Sequence, residues 1–173
     1  MGEVAAYPHT CQGCKHIHYS NPIPVAVALI PVWDDNRRMS DPQSLGLLTV
    51  KRKGGRFDGQ LALPGGFIVK SDEGFDFALS REVREETGLE ISGGWKILAA
   101  ERGVPDGNLL LFAHTHHKLT VQNLTESVPD NPETYSKHVS YAGTKLCLSL
   151  HQKWFDWYIA STFKPIPCPS PGL

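Results

Sequence analysis

Long apolar runs, an excess of charge of one sign and abundant cysteine are what this chain has least of, and each shortage excludes a class of protein. No stretch approaches the roughly 20 consecutive apolar residues that cross a bilayer, and the first residues lack the basic-then-apolar order of a secretory leader. Met1-Gly2 opens as a myristoylation site would, but Ala6 stands where that pattern needs Ser or Thr. Lys and Arg number 17 against 18 Asp and Glu, for a formal net charge of −1, so the basic footprint of a duplex-DNA binder is missing. Neither bulk nucleic acid nor a membrane is therefore expected as a partner. Four cysteines, without a secretory context, imply reduced thiols and not a disulfide frame. What is there is 173 residues, 40% of them hydrophobic, enough to bury a core as one domain. A soluble cytoplasmic protein is the expectation.

The densest chemistry lies between positions 61 and 90, LALPGGFIVKSDEGFDFALSREVREETGLE. Glu82, Glu85 and Glu86 stand at offsets of three and four. On a helix they share an arc of roughly 100° on one face. Three like charges so placed repel one another unless a cation sits among them, and hard oxygen donors suit Mg²⁺ (or Mn²⁺) and not zinc. Pro64-Gly65-Gly66 ends an apolar run and reads as a tight turn that could bring a backbone carbonyl beside the glutamates. The plainer alternative is a solvated helix in which Arg81 and Arg84 pair with the glutamates. The double glycine, and Glu73 eight positions before Arg81, favour the metal site. The helix is expected over 74–87, with Ser71, Asp72 and Glu73 as acidic and capping residues at its start and Gly88 at its end.

The segment resembles the Nudix box, G-x5-E-x7-R-E-U-x-E-E-x-G-U with U aliphatic. Anchored at Arg81, the pattern takes in Glu73, Glu82, Val83, Glu85, Glu86, Gly88 and Leu89, but six residues and not five separate Gly66 from Glu73. The resemblance implies an α/β chain folded as an α/β/α sandwich around a mixed β-sheet. It also implies a hydrolase that cleaves the pyrophosphate of a nucleoside diphosphate linked to another group. ADP-ribose, a dinucleotide or a nucleotide sugar would fit, giving a nucleoside monophosphate and a phosphorylated product. Carried over onto this chain, Glu82, Glu85, Glu86 and the Gly66 carbonyl would hold the metal, and Glu82, Glu85, Arg81 and Glu73 would form the catalytic set. Arg81 would steady the glutamates, and Glu73 would orient Arg81. Gly65 and Gly66 are expected to meet substrate, and so is Arg52, from the run Lys51, Arg52, Lys53 and Arg56, whose plainer reading is a solvated strand end. A base or further ligand from outside the box would be Glu126 or Glu133.

Near the start, Cys11-Gln-Gly-Cys14 is half of a zinc ribbon, and a structural zinc needs four ligands. A metal-free tight turn is the favoured reading. Zn²⁺ at Cys11 and Cys14, completed by His16, His18 or a second copy of the chain, is the alternative. CQGCKHIHYSNPIPV resembles the junction of ribbon and hydrolase domain in the NADH-pyrophosphatase-like branch. The SQPWPFPxS string of that branch is missing, so NADH is not assigned.

Elsewhere, strands are expected at 25–32, 45–52, 95–102 and 108–117, with a polar loop over 122–135. Positions 146–160 read as a helix with Leu150, Trp154, Trp157 and Tyr158 on one stripe, a core or homodimer face. His114, His116 and His117 read as structural, since alternation splits them between two faces. The organisation is then an N-terminal extension over 1–22, the hydrolase domain over 23–163 and a Pro-rich tail over 164–173. Two rivals stay open, a nucleotide-binding sensor without turnover and an interaction module built on the knuckle and the tryptophans.

Overall fold

The computed structural model describes residues 8–19, 21–103, 107–124 and 128–164. The uncharged run at 25–32 is expected as one strand, but the chain breaks it at Ile30 into β3 (Pro24–Leu29) and β4 (Pro31–Trp33). Pro31 is the reason, because it has no N–H for a ladder and restricts the residue before it. The break lets one run serve two sheets. With the short hairpin β1 (His9–Thr10) and β2 (Ile17–His18) ahead of them, the later elements follow in order. They are β5 (Leu45–Arg52), β6 (Leu61–Ala62), β7 (Gly65–Phe67) and helix α1 (Phe75–Thr87). Then come β8 (Trp95–Arg102), β9 (Leu109–Thr115), β10 (Leu119–Thr120), β11 (Thr134–Ser140) and helix α2 (Ser149–Phe163).

One sheet has the order β7-β3-β9-β8, with β3 and β9 parallel and the other pairs antiparallel. The second runs β10-β4-β5-β11, with β6 also on β5 and only β10 and β4 parallel. The expected mixed sheet is thus two mixed sheets, and the residues of β3 show how the layers form around them. Ala26 and Ala28, followed by Ile30, pack with Leu79 and Val83 of α1, whereas Val27 and Leu29 pack with Trp154, Phe155 and Ile159 of α2. Alternate side chains point to opposite faces of a strand, so the two helices cover opposite sides of the sheets. Alanine on the α1 side leaves room for that helix to come close. The aromatic stripe of α2 is core: Trp154 is 1% exposed and stacks on Phe112 at 5.6 Å. His114 also has a structural partner, the Tyr158 hydroxyl 3.2 Å from its Nδ1. Among the described residues no helix is long and apolar enough to cross a membrane.

Candidate active site

The glycines of the PGG run serve close approach more than a turn. Both lie within β7, with Gly65 opposite Val27 and Gly66 opposite Ala26 on β3. A Cβ on Gly65 would sit 2.1 Å from the Ala26 carbonyl oxygen, and φ there is 146°, a backbone state that side chains resist. A Cβ on Gly66 would fall 2.5 Å from the Glu82 carboxyl. The strand therefore lies directly against the acidic face of α1. The Gly65 N–H donates to Glu86 Oε2 at 2.8 Å, so its backbone holds a carboxylate of the acidic face.

Helix α1 begins one residue later than expected, and no side chain caps it at Gly74. The acidic residues ahead of it have another use. Arg81 Nε and Nη2 donate to the two oxygens of Asp72 at 2.9 and 3.0 Å, so Asp72, and not the expected Glu73, orients Arg81. Glu73 is exposed. The extra residue before the helix explains the exchange: counted forward from Gly66, the acid after five intervening residues is Asp72. From this anchor Arg81 Nη1 donates to Glu82 Oε1 at 2.7 Å and to Glu85 Oε2 at 3.2 Å, while Nη2 also reaches the Phe67 carbonyl at 3.1 Å. The ion pair holds the Asp72 carboxyl below its ordinary range, chiefly through the Arg81 hydrogen bonds. Arg81 is held protonated well above its usual value by the same bonds.

The far end of α1 is closed from outside the box. The last four carbonyls of a helix have no partner within it. Here the Arg84 carbonyl accepts the N–H of Gly88, whose left-handed φ of 73° ends the helix. The Glu85 carbonyl accepts Asn131 Nδ2 at 2.7 Å, that of Glu86 accepts Thr134 Oγ1 at 3.2 Å, and that of Thr87 accepts Lys137 Nζ at 2.6 Å. Residues 131–137 are thereby fastened to the acidic helix, and Glu133 comes with them. Its charge is close enough to act on both Glu82 and Glu86.

Gly65, Gly66, Arg81, Glu82, Glu85, Glu86 and Asn131 line one cleft of about 1030 Å³, together with Arg52, Arg102, Asn108, Glu133, His151 and the apolar Val25, Val27 and Leu110. Burial raises the Glu82 carboxyl above its ordinary range despite the Arg81 bonds. Glu86, 3% exposed, is pushed up to about 8, mainly by burial and with the charges of Glu82 and Glu133 adding to it. Among the described residues no three His, Cys, Asp or Glu side chains are already gathered as a metal centre; Arg81 engages two of the glutamates and Gly65 the third. The donor set nonetheless fits a hard divalent cation. Two buried carboxylates of like charge, with a third at the rim, are short of positive charge, and that mismatch is what Mg²⁺ or Mn²⁺ offsets. Arg52 supplies the complementary orphan: its Nε is buried with no hydrogen-bond partner among the described residues. A half-buried arginine on a cleft wall, with its Nε unpaired, fits an anionic ligand.

Asp72, Asn131 and Lys137 escape a reading of the sequence by motif, as does His151, buried and accepting the Leu63 N–H on Nδ1 at 3.2 Å. Only Asp72 left a signal, its spacing from Gly66. The Cys11 to Cys14 segment forms a tight turn, with the Lys15 N–H donating to the Cys11 carbonyl at 2.9 Å and the Cys11 N–H to the His16 carbonyl at 2.8 Å. No third ligand for zinc is gathered there among the described residues. Glu126 and the tail beyond 164 lie outside the described residues.

A family model of the NUDIX domain matches residues 22–140. No curated protein sequence matches the chain. Among solved structures, a NUDIX hydrolase from Nitrosomonas europaea has a TM-score of 0.66 at 18% identity, over 94% of this chain and 84% of that one. The NUDIX domain of Shewanella oneidensis NrtR, in complex with ADP ribose, has a TM-score of 0.65 at 16% identity, over 83% and 90%. An ADP-ribose pyrophosphatase from Streptococcus suis has 0.54 at 15%, over 87% and 98%. At these identities the likeness is one of fold.

Proposed function

The chain belongs to the Nudix family, and on that premise we propose that it hydrolyses the pyrophosphate of a nucleoside diphosphate linked to a second group. The observation that carries the reading is the pairing of opposites in one cleft: the anionic face of Glu82, Glu85 and Glu86, and Arg52, whose Nε has no hydrogen-bond partner among the described residues. A diphosphate bridges such a pair. Glu82, Glu85 and Glu86, with the backbone of Gly66 beside them, would hold Mg²⁺ or Mn²⁺. When bound, the cation offsets phosphate charge and lowers the pKa of a water.

The chain's own residues do the rest. Arg81, anchored by Asp72, keeps Glu82 and Glu85 in register, so that their oxygens need not reorganise as substrate arrives. Arg52 binds a phosphate oxygen and positions phosphorus for in-line attack by water. A carboxylate accepts the water's proton, with Glu82 and Glu133 on the cleft wall as the groups in reach of it. The phosphoanhydride P–O bond breaks as the new one forms, leaving two phosphate monoesters. The cleft lies at the upper end of the range for small-molecule sites, about 300–1,000 Å³, which leaves space on both sides of a diphosphate. The hydrolase unit is proposed to span 23–163, because Trp154, Phe155 and Ile159 of α2 pack into one of its two core clusters.

Product analysis tests this with nucleoside diphosphate derivatives at millimolar Mg²⁺, wild type beside Glu85→Gln. ADP-ribose comes first in the panel, since the Shewanella domain was solved with it and the Streptococcus enzyme is described as acting on it. Release of a nucleoside monophosphate by wild type, and a loss of about tenfold or more in the variant, is the expected result. Binding without turnover in wild type would leave a nucleotide sensor.

A further inference from the structure

The pyrophosphohydrolase reading underlies one further step, which concerns what holds the loop facing the acidic helix. Asn131 uses its side chain on both sides of that junction: Nδ2 donates to the Glu85 carbonyl of the helix at 2.7 Å, and Oδ1 accepts the Glu133 N–H of its own loop at 2.6 Å. The Glu133 carbonyl in turn accepts the Lys53 N–H at 2.7 Å, and Lys53 Nζ reaches the Asn131 carbonyl at 3.5 Å. Both backbone groups of Glu133 are thus held although the residue is exposed. Thr134 and Lys137 tie β11 to the same helix through the Glu86 and Thr87 carbonyls. Asn131 joins the backbone of a box glutamate to that of the acid opposite. Glu133 lines the same cleft wall as Glu82, Glu85 and Glu86.

We propose that Asn131 is a positioning residue for the reaction, setting the Glu133 carboxylate against the α1 face so that the cation site draws on four carboxylates, three from the helix and one from the loop. The residue type matters. A carboxamide both donates and accepts, whereas its isostere aspartate keeps the acceptor for the Glu133 N–H and loses the donor to the Glu85 carbonyl. Asn131→Asp therefore cuts the strap to the helix and spares the loop's own turn. Asn131→Ala cuts both.

The test compares the full chain with N131D, N131A, E133Q and the double variant N131D/E133Q. It reads Mn²⁺ affinity by electron paramagnetic resonance, and kcat and KM on the substrate found in the panel. Expected for N131D and N131A is a fall in kcat of about tenfold, the scale of lost outer-shell support at metal sites, with KM moving less than about twofold. Mn²⁺ affinity falls severalfold in N131D and E133Q alike, and the double variant is no worse than E133Q, because the two residues act as one unit. Wild-type kcat and Mn²⁺ affinity in N131D would overturn the proposal, as would losses that multiply in the double variant. Should no member of the panel be hydrolysed by wild type, the hydrolase reading fails, and the strap is then decided by Mn²⁺ affinity alone.

Discussion

At Arg81 two neighbouring acids compete for one role, and geometry separates them. Asp72 takes the guanidinium in a two-pronged grip and also accepts the Val69 N–H at 2.9 Å, which locks the turn before the helix. Glu73 points to solvent. Asp72→Asn is expected to lower kcat by about tenfold or more, as loss of a supporting bond at a metal site does, while Glu73→Gln stays within about twofold of wild type. Steady-state kinetics on both variants checks this, and equal losses would return the role to Glu73. Gly66→Ala is the steric counterpart. Its new methyl meets the Glu82 carboxyl at 2.5 Å, so either β7 or the carboxylate must move, and Mn²⁺ affinity is expected to fall with activity. The acidic string itself was legible because helical spacing is a property of sequence. Which acid grips Arg81 was not, because that depends on how one extra residue is absorbed between a strand and a helix, and spacing can be counted from either end.

The element that carries the site is α1, and its two ends are secured in different ways. At the start an ion pair to a loop residue replaces a cap; at the finish three side chains from 131–137 take three carbonyls. Lys137→Met removes one of these bonds and leaves the Thr87 carbonyl unmet. The loss is expected to be about 1–3 kcal/mol, the scale for a hydrogen bond to a charged donor, measured by urea denaturation with the slope unchanged. A strand at 45–52, a strand at 95–102 and a helix near 74–87 were readable, the first as an apolar run ending in charge and the helix from its apolar residues at a spacing of four. The break at Ile30 and the links from 131–137 were not. The break assigns one apolar run to two sheets, and the links join residues some fifty positions apart, which no local pattern records.

For the molecule as a whole, the cleft is joined to the core on the α2 side through His151. Its Nδ1 accepts the Leu63 N–H at the start of the PGG run, and its ring lies edge-on to Phe112 at 5.9 Å. Burial, with the Arg52 charge adding to it, pulls this histidine down to about 3. The ring is therefore neutral in the folded protein, whereas the unfolded chain takes up a proton near the ordinary histidine value of about 6.5. Between those values the unfolded state binds more protons, so stability rises with pH across the window and falls as the solution is acidified through it. Above about 6.5 the contribution is complete. His151→Gln can still accept the Leu63 N–H through its amide oxygen but cannot titrate. Denaturation midpoints between pH 6.5 and 4 should decline more steeply for wild type than for the variant, by up to about 1.4 kcal/mol per pH unit, the weight of one proton. Parallel declines would mean that His151 is protonated in the folded state, which requires another acceptor for its proton and a different wall for the cleft. A steeper wild type would instead show that one buried, neutral ring ties the second helix to the strand holding the glycines, linking the packing of the core to the floor of the site.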